Sequence, residues 1–233
     1  MTIKHGEINL TFKTLILKNL IMNNLDALYQ SVGLDAVKFS KGYADYLVSL
    51  LEMLDHEQIA ECIKQMEEAR HNGNTIFIVG NGGSASTASH IGNDFGLAIL
   101  KKSNNVESKS YRVLALTDNV SVISAIGNDS SFNNIFLDQL KVHFRTGDKL
   151  IAISASGNSP NLLNAAEWVK LKGGKVISWL GFDGGKLKDL SDISVVVKTP
   201  KGEYAPVEDV HLVINHIIVT WMQYNIMKTD GLI

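Results

Sequence analysis

The chain is poor in cysteine, proline and aromatic side chains: its 233 residues include one Cys, three Pro and 7% Phe, Trp and Tyr. A single cysteine excludes an intrachain disulfide, and nothing in the cysteine usage points to an oxidising compartment. Cys62 falls in a helical pattern and reads as a small core residue. Neither sign of charge dominates, with 22 Lys and Arg against 24 Asp and Glu and a formal net charge of −2. That balance argues against a nucleic-acid-binding surface, which carries a basic excess. No apolar run approaches the roughly 18 residues of a membrane span. The first residues, with Lys4, Glu7 and Lys13, lack the layout of a secretory signal, so the expected location is the cytoplasm. What the chain does have is 45% hydrophobic residues and enough length for one large domain or two small ones.

Residues 1 to about 73 read as helical. Leu17, Leu20, Ile21, Leu25 and Leu28 recur at helical spacing, and Gly33 ends that segment. A second helix is expected over 43–54. Asp55 then looks like an N-cap, with Gln58 three positions on as in a capping box. Ile59, Ile63 and Met66 form the stripe of the next helix, which Asn72-Gly73 stops. Beyond that point short apolar runs take over, at 75–79, 112–116, 150–153, 175–180 and 193–197. Such runs suit strands buried on both faces. Helical stretches at 85–98, 119–145, 160–171 and 207–227 separate or follow them, and 101–109 is a polar loop containing Asn104-Asn105. The alternation predicts the α/β class, a doubly wound parallel sheet of five strands. The expected organisation is a helical N-terminal extension over 1–40 and one domain over 41–233.

Two loops carry candidate binding groups. Gly80-Asn81-Gly82-Gly83-Ser84 follows the first strand and opens a helix. Glycines bring backbone N–H groups close to a ligand, and the helix N-terminus adds positive potential, so the loop is a natural anion seat. It is neither a dinucleotide fingerprint nor a P-loop, and alone it is equally a tight turn. The third strand ends in Ser154-Ala155-Ser156-Gly157-Asn158-Ser159, with Pro160 suited to the first helical position. Alone this reads as a serine N-cap with extra turn residues; three hydroxyls at a second strand end also suit a phosphate. Both loops lie where open α/β sheets bind ligands, and together they are far more specific than apart.

A second constellation consists of His90 and Asp94, four apart on one helix, and Glu208 and His216, eight apart on the last. Each pair shares a helical face. Two imidazoles and two carboxylates suit a divalent metal such as zinc. His211 competes, three positions from Glu208.

The sequence resembles the SIS (sugar isomerase) domain family and, within it, the phosphoheptose isomerases. The resemblance runs from about Tyr43 to Met227. It rests on the glycine loop, Leu116-Thr117-Asp118, Gly127-Asn128-Asp129, the serine loop and Asp183-Gly184-Gly185-Lys186, in family order and spacing. It implies a flavodoxin-like sheet and aldose–ketose isomerisation of a sugar phosphate, sedoheptulose 7-phosphate first. Family serines matching Ser84, Ser154, Ser156 and Ser159 hold the phosphate; Asn81, Gly82, Gly83 and Ala155 line the same loops. The acid matching Asp118, with Asn119 after it, lies near the sugar hydroxyls. Ala155 stands where the family often has Thr, Asp94 where it has Glu, and Glu208 where it has Gln. Tyr204-Ala205-Pro206-Val207 is one residue shorter than usual and lacks the family's Asp. The resemblance makes Asp94 the base and His216 an acid/base, both on a metal, with His90 and Glu208 as further ligands or orienting groups. Glu208 is also a substrate contact. It also implies a homotetramer with active sites at subunit contacts, while the apolar run lengths and the charge balance make a membrane or nucleic-acid partner unexpected. Three other readings stay open: a non-catalytic SIS protein that binds a replication initiator, a sugar-phosphate sensor, and an isomerase of another sugar phosphate. Asp94 and His216 favour an enzyme over the first two. Asp94, Glu208 and the shortened loop raise the third.

Overall fold

A computed structural model describes residues 23–103 and 110–229. Leu17, Leu20 and Ile21 of the first expected helix lie outside them, as do Asn104 and Asn105. The chain divides into two compact units, one ending at Tyr46 and the other beginning at Leu47.

In the first unit, helix α1 (Asn24–Val32) is capped by the Asn23 side chain, which accepts from the Asp26 N–H at 2.8 Å. Gly33 ends it, as its sequence position predicts. Helix α2 runs over Ala36–Glu52, of which residues 36–46 fall in this unit, and so begins seven residues before the expected 43. Asp35 explains the difference: its side chain accepts from the Val37 and Lys38 N–H groups, each at 3.1 Å, and caps the helix there. Gly42 breaks the apolar pattern in sequence but sits inside the helix, where a Cβ would meet Leu28 Cδ1 at 2.4 Å.

The second unit holds the sheet. Helix α3 (His56–His71) is capped by Asp55, which accepts from the Gln58 N–H at 3.1 Å. The Gln58 side chain does not close a capping box; it accepts from the Ser194 N–H at 3.3 Å and ties α3 to an edge strand. Five strands follow: β1 (Thr75–Gly80), β2 (Arg112–Ala115), β3 (Lys149–Ser154), β4 (Lys175–Gly181) and β5 (Ile193–Val197). All pair in parallel, in the order β2-β1-β3-β4-β5. This is the flavodoxin-like doubly wound order, and its switch point lies between β1 and β3. Between the strands lie α4 (Gly83–Asn93), α5 (Ile99–Lys102), α6 (Val120–Asp129), α7 (Leu137–His143), α8 (Pro160–Leu171) and α9 (Gly185–Leu190), and α10 (Tyr204–Thr229) closes the chain.

β1, β3 and β4 are buried along most of their length, and alternate side chains leave on opposite faces. Phe77, Val79, Leu150, Ala152, Val176 and Leu180 pack on one face with Phe136, Leu140, Phe144, Leu162 and Val169. Ile76, Ile78, Ile151, Ile153, Ile177 and Trp179 alternate with them and are equally buried. Each such aliphatic side chain contributes about 1.5–3 kcal/mol when fully buried. Cys62 is wholly buried, as its pattern predicts, and burial pushes its thiol up to about 12, which leaves it unreactive.

Two expected helices differ in form. The 119–145 stretch divides into α6 and α7, because Ser131 caps a 3₁₀ turn over Phe132–Asn134 by accepting from the Asn133 N–H at 3.1 Å. The 85–98 stretch changes pitch at its end, where a π-helical turn occupies Asp94–Ala98. Such turns concentrate at functional positions, and this one opens on a candidate base. Among the described residues, no helix is long and apolar enough to cross a membrane.

Candidate active site

A cavity of about 220 Å³ opens between the carboxyl ends of β1 and β3. Asn81, Gly82, Gly83 and Ser84 form one wall and Ser154, Ala155, Ser156 and Ser159 the other, while Tyr204 and Glu208 reach in from α10. The two strand-end loops thus enclose one space. Gly82 caps α4 with φ near +56°, a conformation natural to glycine, and makes no side-chain cap. Ser159 likewise caps α8 without a side-chain bond, with Pro160 at the start of the helix. Two helix N-termini that lack side-chain caps therefore meet at one cavity, the arrangement that receives an anion. The Ser154 hydroxyl accepts from the Gly157 N–H at 3.0 Å, which shapes the second loop. A reciprocal amide pair, Asn81 with Asn161, joins the loops through two hydrogen bonds of 2.9 Å. Asn161 has no sequence signal beyond a polar residue in the first turn of a helix.

Lys, Arg and His are absent from the cavity lining. Any anion there is held by hydroxyls, amides and helix dipoles. Replacing Ser156 with Ala is therefore expected to weaken phosphate binding by about 1–3 kcal/mol, the value of a hydrogen bond to a charged group. Calorimetric titration of the variant with inorganic phosphate checks this; wild-type affinity would contradict it.

The second cluster lies further along α4 and α10. His90 Nε2 is 3.1 Å from Asp94 Oδ2 and 3.3 Å from His216 Nε2, and His216 Nε2 is 3.9 Å from that same oxygen. All three donors fall within 4.8 Å of one another. The helical-face argument thus brings His90, Asp94 and His216 together but not Glu208. Eight residues along a helix is a rise of roughly 12 Å, so Glu208 and His216 share a face at different heights. The Glu208 carboxylate lies instead over the start of α4, where a Cβ on Gly83 would stand 2.1 Å from Glu208 Oε2. Burial first, and the Asp209 charge second, raise its pKa above the usual carboxylate value. Asp118 and Asn119 are exposed and stand outside the cavity lining. The Asp118 carboxylate accepts from Ser89 and Thr117, and the Asn119 side chain caps α6 by accepting from the Val122 N–H at 3.1 Å.

His211 is a core residue. It is wholly buried with Nε2 3.1 Å from the Leu180 carbonyl oxygen, to which that nitrogen's hydrogen is donated. Burial lowers its pKa from 6.5 to about 4, so the folded state holds the ring neutral. The unfolded chain takes up the extra proton between those values. The ring's contribution is therefore complete above pH 6.5 and drains away as the pH falls toward 4. Wild-type stability is expected to drop by about 3 kcal/mol over that window from this group, at about 1.4 kcal/mol per pKa unit. His211→Leu should flatten that part of the curve. Urea titrations at stepped pH measure it, and parallel curves for the two proteins would refute it.

The SIS-domain family model matches residues 42–181. The phosphoheptose isomerase of Nitratiruptor sp. is 40% identical over 151 residues, covering 65% of this chain and 77% of that protein. The chain belongs to the phosphoheptose isomerase family of SIS-domain proteins. The phosphoheptose isomerase of Aneurinibacillus thermoaerophilus is 36% identical over 180 residues, covering 76% of this chain and 87% of its own length. The solved phosphoheptose isomerase from Neisseria gonorrhoeae superposes with a TM-score of 0.69 at 27% identity, over 81% of this chain and 96% of that one. Beside these phosphoheptose isomerase relatives, what this chain itself shows is a glycine loop and a serine loop around one cavity, and Asp94 beside two histidines.

Proposed function

We propose that the chain is an aldose–ketose isomerase of a sugar phosphate, with the sedoheptulose 7-phosphate to heptose 7-phosphate interconversion as the reaction it supports best. One observation carries this reading: the cavity lining holds no Lys, Arg or His, α4 and α10 both contribute to it, and the His/Asp cluster stands further along those two helices. Six residues on α4 separate Ser84 from His90, and eight on α10 separate Glu208 from His216. These are rises of roughly 9 and 12 Å. An open seven-carbon chain with its phosphate ester spans roughly 9–10 Å, given carbon–carbon bonds near 1.5 Å. A phosphate between the loops therefore leaves the carbonyl end of such a sugar at the cluster.

In the forward direction Asp94 takes the proton from the carbon next to the carbonyl, and the C–H electrons form a carbon–carbon double bond. The carbonyl oxygen becomes a hydroxyl with a proton from His216. Returning a proton to the neighbouring carbon, while the other hydroxyl gives its own to His216, re-forms the carbonyl one position along. Both groups are partly open to a ligand, since the His216 side chain is 52% exposed and that of Asp94 14%. Proton transfer of this kind contributes about 10²–10⁴-fold.

The donor set fits a divalent ion. Ligands of a tetrahedral zinc, at about 2.0–2.2 Å, stand roughly 3.4 Å apart, close to the separations within this cluster. Three protein ligands leave a position for substrate, as in catalytic sites. His90, Asp94 and His216 would hold the ion, which would supply Lewis-acid polarisation of the carbonyl. Glu208, at the anion seat, serves substrate binding in this reading.

NMR of C5 to C7 sugar phosphates, with and without the protein and added zinc, tests the reading. Conversion of the heptose phosphate is expected. Conversion of a shorter sugar alone would correct the substrate, and none at all would leave a binding protein.

The same reading includes a homotetramer. Its support is a stripe of Ile217, Trp221 and Tyr224 on α10, exposed at 39%, 45% and 55%, directly beyond His216. Light scattering at micromolar concentration is expected to report about four chains, and a stable monomer would overturn it.

A further inference from the structure

Asn215 is a polar residue in an apolar run, Val213-Ile214-Asn215-His216-Ile217-Ile218-Val219, and it is wholly buried. Its Nδ2 donates to Asp94 Oδ2 at 2.7 Å. The amide orientation is fixed by its neighbour, because a carboxylate accepts and cannot donate. Its other polar atom, Oδ1, is buried and has no hydrogen-bond partner among the described residues. A half-satisfied buried amide is a net cost to the fold, and a branched aliphatic side chain would pack there more cheaply. Among the described residues, the amide's one hydrogen-bond partner is Asp94. The oxygen it holds is the one that lies 3.1 Å from His90 Nε2 and 3.9 Å from His216 Nε2. A carboxylate oxygen has lone pairs enough to accept from Asn215 and still face the two imidazoles. Asn93 Nδ2 touches the opposite oxygen, Oδ1, at 3.3 Å, so both ends of the carboxylate are fixed.

We infer that Asn215 is the positioning residue of the cluster: its amide turns the Asp94 carboxylate so that Oδ2 meets His90 and His216 in the arrangement that takes a divalent ion. This rests on the metal and proton-transfer reading above and adds to it a residue that touches neither ion nor substrate. Partners of metal ligands in this position typically change metal affinity or activity 10–100-fold when removed.

The test uses full-length protein stripped with a chelator, as wild type, Asn215→Leu and Asn215→Ala. The Leu variant keeps the branched skeleton and carries no polar atom; the Ala variant covers the case in which the bulkier Leu misfolds. Zinc affinity is read by competition with a chromophoric chelator, thermal midpoints are read on the stripped proteins, and kcat and KM on the sugar phosphate. Expected are a zinc affinity about 10–100-fold weaker and a matching fall in kcat, with KM nearly unchanged. The stripped Leu variant should melt no lower than wild type, since the unpartnered amide is gone. Wild-type zinc affinity and kcat in both variants would overturn the inference. So would an affinity loss that tracks a lowered midpoint in the stripped proteins, or a rise in KM at constant kcat. If wild type binds no zinc and His216→Ala retains turnover, the cluster reading itself fails and takes this inference with it.

Discussion

Asp94→Asn is expected to lower kcat by about 10²–10⁴-fold, the range over which a positioned proton-transfer group acts. The substitution keeps the shape of the side chain and removes its ability to take a proton. It also removes the one carboxylate of the three-donor cluster, so zinc affinity should fall with turnover. Phosphate affinity should not follow, because the anion seat lies at the start of α4 and Asp94 eleven residues further on. That split distinguishes loss of the base from general damage. Steady-state kinetics and phosphate titration on the same preparation measure both. A variant within about tenfold of wild-type turnover would assign the base elsewhere and leave Asp94 a structural partner of Asn215.

Gly157→Ala is expected to cost more stability than Ser156→Ala or Asp94→Asn. Gly157 has φ near +62°, and a Cβ there would stand 1.9 Å from the Gly184 carbonyl oxygen and 2.6 Å from its carbon. These are backbone atoms, so no side chain can move aside. The left-handed conformation alone costs a non-glycine residue about 1–2 kcal/mol, and the overpacking adds about 1–3 kcal/mol. Relief would require movement of the serine loop, which carries Ser156, or of the Asp183-Gly184-Gly185 turn, which is tied to that loop through Asn158. Anion affinity should fall together with stability. Gly73→Ala supplies the comparison: φ is near +68°, yet nothing lies within 4 Å of the added Cβ. It should lose only the conformational part, about 1–2 kcal/mol, with phosphate binding intact. Urea unfolding of both variants decides the point, and equal losses would show that the Gly157–Gly184 contact yields.

Much of the fold is legible in the sequence because a parallel sheet announces itself. The runs at 75–79 and 175–180 are apolar on both faces and coincide with β1 and β4 to within a residue. The helix expected over 160–171 is α8, since Ser159-Pro160 marks its start. Helix α9 carries no such signal, because six residues are too few to show a period. The break between α6 and α7 lies in Ser131, a cap whose effect competes with a long apolar pattern around it. The site is legible where chemistry is local. Glycines and serines at strand ends and a His–Asp pair one turn apart are visible in one dimension. Glu208 shows the limit: a shared face says nothing about height, and eight residues place its carboxylate at the anion seat. Asn215 is invisible for a different reason. A buried amide and an ordinary polar residue look alike until the neighbour it holds is known.

The most direct test of the account follows hydrogen rather than product. In D₂O, with a sugar phosphate present, proton NMR reports exchange of the hydrogen that the base removes, on C1 of the ketose and C2 of the aldose, whether or not net isomerisation is large. Wild-type protein is expected to exchange one C1 hydrogen of sedoheptulose 7-phosphate, and Asp94→Asn to bind inorganic phosphate as tightly as wild type while exchanging that hydrogen about 10²–10⁴-fold more slowly. Exchange by Asp94→Asn at the wild-type rate, or no exchange by wild type on any C5 to C7 sugar phosphate, would contradict it.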